Sequence, residues 1–450
     1  MGLRKASYFG IVALMVALVL ASCRQPVPTT SGTFFNAVRI TDNSWYQVEA
    51  DLLYASDHAL IYVEKGQPVS PSTAAAIGTE FDDNIYDLVR TTFGPELDVD
   101  GNGRIILLLL DIQDGFSGSG GYVAGYFDAT HAYSTSVFPD SNQADMLFMD
   151  VNPLTAGSVE FMSTIVHEMQ HMVSFARAVD RGSLQDIWID EGLSLSSEYL
   201  YLGEQLTDRI EYFNSDPVAS IRAGNTFYDW DDASQSGTDV LADYSTAYLF
   251  FQWLYQHAEA KATGGGVGVL QDIFNSSFAD YQAVTAAASA RVAGLPDPSS
   301  WQDVYSTWLQ ANLLNRLIGL QGYRNVLSTT VRDHTESDGT IDLPAGGAVY
   351  SSISAPYSPG SPQSLIVHQG VDTTTGDVDT TADFSGDRLI TFNSSTDGTA
   401  VTGAAVPPQT AVRAAAVDAP TGRSVFEKPY RIDAPFQREG TNGFEGIARP

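Results

Sequence analysis

Residues 163–175 read STIVHEMQHMVSF, and His167-Glu168-Met169-Gln170-His171 at their centre form an H-E-x-x-H sequence. On a helix, positions four apart share a face, so both imidazoles point at one place. That arrangement suits a divalent metal. Glu168, beside the first histidine, is placed to take a proton from a water whose pKa the metal has lowered. The bland alternative is a solvated helix face that happens to carry two histidines. The flanks argue against it, because Thr164-Ile165-Val166 precede and Met172-Val173-Ser174-Phe175 follow. A helix so flanked is buried, and a buried His-Glu-His face needs partners. Phe161, Ile165, Met169, Met172 and Ala176 keep helical spacing and predict a helix over 158–178.

Working outward, aliphatic runs at 59–63, 105–110 and 147–151 predict strands. Ser70 as cap and Pro71 in the first turn start a helix expected over 71–92. Further helices are expected at 188–202, 246–260, 268–275, 281–291 and 301–318. Composition changes near Asp333, after which Ser, Thr, Gly, Asp and Pro dominate between short apolar runs. Residues 335–418 read as a small antiparallel β domain. The fold class is therefore α+β. Its expected parts are a mixed α/β lobe at 34–155, a helical lobe at 156–330 and a β-rich region at 335–450.

The chain has 450 residues, enough for two or three domains, and 44% of them are hydrophobic. It carries 54 acidic and 23 basic residues, a net charge of −31. So acidic a chain repels phosphate backbones, which excludes nucleic acid as a partner. The single cysteine forms no intrachain disulfide and no Cys-rich zinc ribbon. A transition-metal site must use His and carboxylates. No G-x-S-x-G is present to support serine catalysis.

Glu191, within Trp188-Ile189-Asp190-Glu191-Gly192-Leu193-Ser194, lies twenty positions after His171. This spacing resembles the gluzincin zinc peptidases, such as thermolysin and the membrane-alanyl-aminopeptidase type. The resemblance implies a thermolysin-like fold. It also implies that His167, His171 and Glu191 are zinc ligands, with Glu168 as general base and proton shuttle. Two histidines and one carboxylate leave a fourth position open, as in catalytic rather than structural zinc. Asp190 remains the alternative ligand; otherwise it sits behind one. Gluzincins often stabilise the oxyanion with a Tyr or His beyond the third ligand. In their aminopeptidase-like members a tyrosine just before a helix serves, which singles out Tyr244, with Tyr248 as alternative. A tyrosine beside Leu249-Phe250-Phe251-Gln252-Trp253 is also an ordinary core residue.

A closer resemblance, over about residues 35–330, is to the hyicolysin family of secreted bacterial metallopeptidases. It is carried by DVDGNGRIILLLLDI at 98–112, GGYVAGYF at 120–127, MLFMDVNP at 146–153 and STIVHEMQHMVSF. The implied activity is hydrolysis of peptide bonds in protein or peptide substrates. An endopeptidase is expected, since the amine-gripping G-x-M-E-N sequence of the aminopeptidases does not occur. A rival of another class is a surface adhesin that keeps a peptidase-like fold. By the gluzincin pattern, an extended substrate pairs with a strand ahead of the zinc helix, at 147–150 or 122–127.

Two features stand apart. Asp98, Asp100 and Asn102 resemble the first half of a calcium loop, although Leu109 stands where its closing acid belongs. The competing reading is a turn into the strand at Ile105. At the start, Arg4 and Lys5 precede an apolar run over 11–20, the layout of a signal peptide at 1–22. Leu20-Ala21-Ser22-Cys23 resembles the lipobox of bacterial lipoproteins, which implies a lipidated Cys23. Several acyl chains give stable membrane anchoring. Residues 23–33 then form a tether. Arg24 leans the expected location in the cell envelope towards the outer membrane or cell surface.

Overall fold

The computed structural model describes residues 32–118, 121–228, 230, 239–354, 356–381 and 383–409. The leader, the Cys23 lipidation site, part of the glycine-rich 117–121 loop and everything after 409 lie outside them. Strands β1 (Thr33–Arg39), β2 (Ser44–Ala55) and β3 (Ala59–Glu64) form an antiparallel meander. Helix α1 (Pro71–Glu80) starts as expected, with the Ser70 hydroxyl accepting the Thr73 N–H and Pro71 in the first turn. It runs through a widened turn at Phe81–Ile85 into α2 (Tyr86–Thr92). Strands β4 (Ile105–Leu110), β5 (Gly125–Phe127) and β6 (Met146–Asp150) complete a six-stranded sheet in the order β1-β2-β3-β4-β6-β5.

β4 runs parallel to β3 and β6, and all six of its residues are buried. That explains its unbroken aliphatic sequence, because both faces are covered. Leu107, Leu109, Leu147, Met149 and Phe127 face the helices. Ile106, Leu108, Phe148 and Tyr126 face a second cluster with Phe35 and Val48. Of the two substrate-strand candidates, 147–150 is corrected: β6 lies inside the sheet, flanked by β4 and β5. β5, within 122–127, is the edge strand.

The helices follow as α3 (Val159–Arg181), α4 (Ile187–Leu202), α5 (Thr207–Ser215), α6 (Val240–Lys261), α7 (Gly265–Phe274), α8 (Tyr281–Arg291) and α9 (Trp301–Leu314). The Ser158 hydroxyl caps α3 by accepting the Phe161 N–H at 3.1 Å, and Gly182 ends it at φ +80°. Every residue from 161 to 176 is buried, which removes the solvated-face reading of His167 and His171. α6 starts at Val240 rather than 246, so Tyr244 lies within the helix and not just ahead of it. The expected helix at 246–260 leaves Ser245 and its neighbours ahead of it. They enter the helix because the Ser245 and Thr246 hydroxyls donate back to the Leu241 and Ala242 carbonyls, at 2.7 and 2.6 Å. α9 stops at Leu314, short of 318, where Asn315 turns left-handed at φ +48°.

Beyond the helices come β7 (Thr340–Leu343), β8 (Ala348–Ser352), β9 (Ile366–Val371), β10 (Val378–Asp379), β11 (Arg388–Asn393) and β12 (Val401–Ala405). They make an antiparallel sheet, β10-β9-β11-β8, and a β12-β7 pair. This β region is not independent of the helices. Tyr350, Ile390 and Phe392 share their core, and the Tyr305 hydroxyl donates to the Gly346 carbonyl at 2.5 Å. Among the described residues, no helix is long and apolar enough to cross a membrane.

Gly192 sets how closely α4 approaches α6. A Cβ there would lie 2.2 Å from the Phe251 ring. Helix propensity favours alanine by up to about 1 kcal/mol, but the clash forces two buried elements apart. Gly192→Ala is expected to destabilise the fold by a net of roughly 1–3 kcal/mol, read as a lower midpoint in denaturant unfolding. An unchanged midpoint would mean that the contact is not tight.

Candidate metal centre

α3 and α4 lie side by side and present complementary faces. From α3 come Ser163, His167, Gln170 and His171, one or two turns apart. From α4 come Asp190, Glu191, Ser194 and Glu198, of which Glu191 and Glu198 lie two turns apart on one face. The His167 and His171 Nε2 atoms are 3.1 Å apart. Glu191 Oε2 sits 3.3 Å from the first and 3.5 Å from the second. His167, Glu168, His171, Asp190 and Glu191 are all fully buried.

Both outer ring nitrogens are held. His167 Nδ1 is 2.9 Å from Glu198 Oε1, and the other Glu198 oxygen accepts the Ser163 hydroxyl at 2.9 Å. His171 Nδ1 is 2.9 Å from Asp190 Oδ2. A carboxylate at Nδ1 fixes the proton there and turns the Nε2 lone pair inward. Asp190 therefore stands behind His171, and Glu191 is the carboxylate that faces both Nε2 atoms. The Ser194 hydroxyl donates to Gln170 Oε1 and lies 3.2 Å from His171 Nδ1.

The residues fit a metal by a test of their own. Both Glu191 oxygens are buried with no hydrogen-bond partner among the described residues. In that tautomer two lone pairs and a carboxylate converge, and they call for positive charge between them, a proton or a metal ion. Titration carries the same sign. Burial opposes a charged His171, yet the Asp190 and Glu191 carboxylates prevail and raise it to about 10. Burial likewise opposes an ionised Glu191, and His171 and His167 pull it down to about 2. Two imidazoles and one carboxylate are the donor set of three-ligand catalytic zinc.

Glu168 lies alongside. Its Oε2 accepts the Phe127 N–H of β5 at 2.9 Å, while Oε1 is buried with no hydrogen-bond partner among the described residues. Burial pushes this carboxyl up to about 7, against the pull of His167 and His171. Tyr244 is fully buried with its ring 6.4 Å from that of His167. Tyr248 is turned elsewhere. Its hydroxyl accepts the Leu206 N–H and donates to Gln205, both at 2.9 Å. Glu198 escaped the sequence reading, although its two-turn spacing from Glu191 was a usable signal. The Phe127 N–H left no trace in the sequence, being backbone.

The structure also brings Asp98 and Asp100 together and adds Asp145, with one oxygen of each within 4.8 Å of the others. These groups already serve a turn. Asp98 accepts the Gly103 N–H at 2.9 Å, and Asn102 Oδ1 accepts the Arg104 N–H at 2.7 Å. Asp145 accepts the Val99 N–H, and burial pushes its carboxyl up to about 7.

The chain is 32% identical over 255 residues to the neutral metalloprotease ShpI of Staphylococcus hyicus, covering 54% of this chain and 55% of that protein. It thus spans about half the length of the curated relative it matches, and over that stretch it is a homologue of a metalloprotease. No family model matches the chain. A two-domain M1 zinc metallopeptidase bound to L-tryptophan aligns with 62% of this chain and 51% of its own, at 11% identity and a TM-score of 0.30.

If Glu198 holds His167 in its working tautomer, Glu198→Ala should weaken zinc binding about 10- to 100-fold. Competition against a chromophoric chelator measures this. Wild-type affinity in the variant would reduce Glu198 to packing.

Proposed function

We propose that this chain is a zinc metalloendopeptidase. The observation that carries the reading is the convergence of His167 Nε2, His171 Nε2 and Glu191 Oε2 in a fully buried site, with the open oxygen of Glu168 beside them. Homology to a metalloprotease over half the chain supports it. His167, His171 and Glu191 would hold the ion. Zinc supplies Lewis acidity there, both to a water and to the peptide carbonyl.

The rest is work for this chain's own groups. The Phe127 N–H fixes one oxygen of Glu168 and leaves Oε1 to take the proton of the attacking water. The same oxygen then delivers that proton to the departing amine. Tyr244, on the His167 side, donates its hydroxyl to the developing oxyanion. β5, the sheet edge beside Glu168, pairs with an extended substrate, as edge strands do with peptides. Its short length makes the contact local. The lipobox-like residues ahead of Cys23 add a membrane tether to this reading.

An internally quenched peptide blocked at both ends tests the endopeptidase reading directly. The full-length wild type should cleave it, and Glu168→Gln should lose about 10²- to 10⁴-fold in kcat, the range for general acid–base catalysis. Equal rates for the two proteins would remove Glu168 from the chemistry. Cleavage confined to peptides with a free N-terminus would make the enzyme an aminopeptidase.

A further inference from the structure

Arg209 is a buried guanidinium in a place where sequence reasoning expected nothing. It lies on α5, is 6% exposed, and holds its guanidinium carbon 5.0 Å from the centre of the Tyr244 ring. Trp230 meets the same ring edge-on, at 4.9 Å and 90° between planes. Tyr244 is therefore clamped, with its ring 6.4 Å from His167. Arg209 also makes a long ion pair with Asp208, Nε to oxygen 3.7 Å, but that carboxylate is largely exposed.

We propose that Arg209 is a positioning residue that acts through Tyr244. A cation over an aromatic face is attracted by the ring's negative quadrupole, and most strongly where water is excluded. Withdrawing density from the ring makes the phenol a better hydrogen-bond donor. It also favours negative charge arising beside the hydroxyl. A planar guanidinium stacks on the ring and fixes its tilt, which a lysine ammonium does less well. The surroundings make a cation here consequential: Glu168, Asp190, Glu191 and Glu198 all lie buried in or behind the neighbouring site. The inference rests on the peptidase reading and on the hydroxyl of Tyr244 facing the oxyanion.

A double-mutant cycle on the full-length zinc-loaded protein separates these layers. Tyr244→Phe keeps the ring and removes the hydroxyl, so it should lower kcat by about 10- to 100-fold, in the range of a lost oxyanion donor or somewhat below it. Arg209→Met should lower kcat roughly tenfold, as the loss of a desolvated cation–π contact would. KM and zinc content should stay near wild type, and Arg209→Lys should recover part of the loss. In the Tyr244→Phe background, Arg209→Met should change kcat less than about twofold, because the hydroxyl it serves is gone. Calorimetric affinity for a phosphinic pseudopeptide, an anionic tetrahedral mimic, should fall by the same factor as kcat.

Equal losses from Arg209→Met in both backgrounds would overturn the proposal. So would an effect on KM alone, or a lysine variant no better than methionine. Wild-type kcat in Tyr244→Phe would overturn it at the tyrosine. A wild type that cleaves no peptide would instead defeat the peptidase reading beneath it.

Discussion

Buried negative charge governs this site. Glu168, Asp190, Glu191 and Glu198 are all withdrawn from water between and beside two packed helices. Each ionised carboxylate costs several kcal/mol to bury unless it is paired. Two are paired directly, because Glu198 and Asp190 accept the outer N–H groups of His167 and His171. That pairing turns both Nε2 lone pairs toward Glu191, so the three inner donors repel one another unless a cation sits among them. The Asp190 and Glu191 carboxylates that raise His171 against its burial would equally favour a metal cation held among these donors.

The surrounding fold keeps those donors in register. Ser158 and Gly182 delimit α3, so its buried face reaches the sheet and α4 without fraying. Gly192, one residue after Glu191, lets α6 close on α4. α6 in turn carries Tyr244 beside His167, and its internal hydroxyl groups are satisfied by the helix's own carbonyls. From the other side, edge strand β5 presents a backbone N–H to Glu168. Glu168 is thus oriented by the sheet, while the candidate ligands are oriented by helices.

Much of this was legible because helical spacing is a strict rule. H-E-x-x-H on an apolar background gave the helix, its burial and two inward imidazoles. The distance to Glu191 singled it out, through family resemblance, as the candidate third ligand, and the structure brings it to both Nε2 atoms. What escaped depended on tertiary contact. The distinction between Asp190 and Glu191 came only from where each oxygen points. The start of α6 was hidden because polar residues there bond to their own helix. Arg209 and Asp145 sit in stretches with no periodic signal, and each is placed by packing from a different element. For the 335–450 region, the turn-rich composition announced β structure. Its shared core with the helices rests on side chains such as Tyr350 and Phe392, which sequence alone does not pair.

Metal content is the most direct measure of whether the buried donors are a metal site at all. The full-length protein should be purified, supplied with zinc, freed of excess and analysed for metals beside Glu191→Ala. About one zinc per chain in the wild type, as in a three-ligand catalytic site, and a large loss in the variant is the expected result. No bound zinc in the wild type, or undiminished zinc without Glu191, would contradict the site built here from His167, His171 and Glu191.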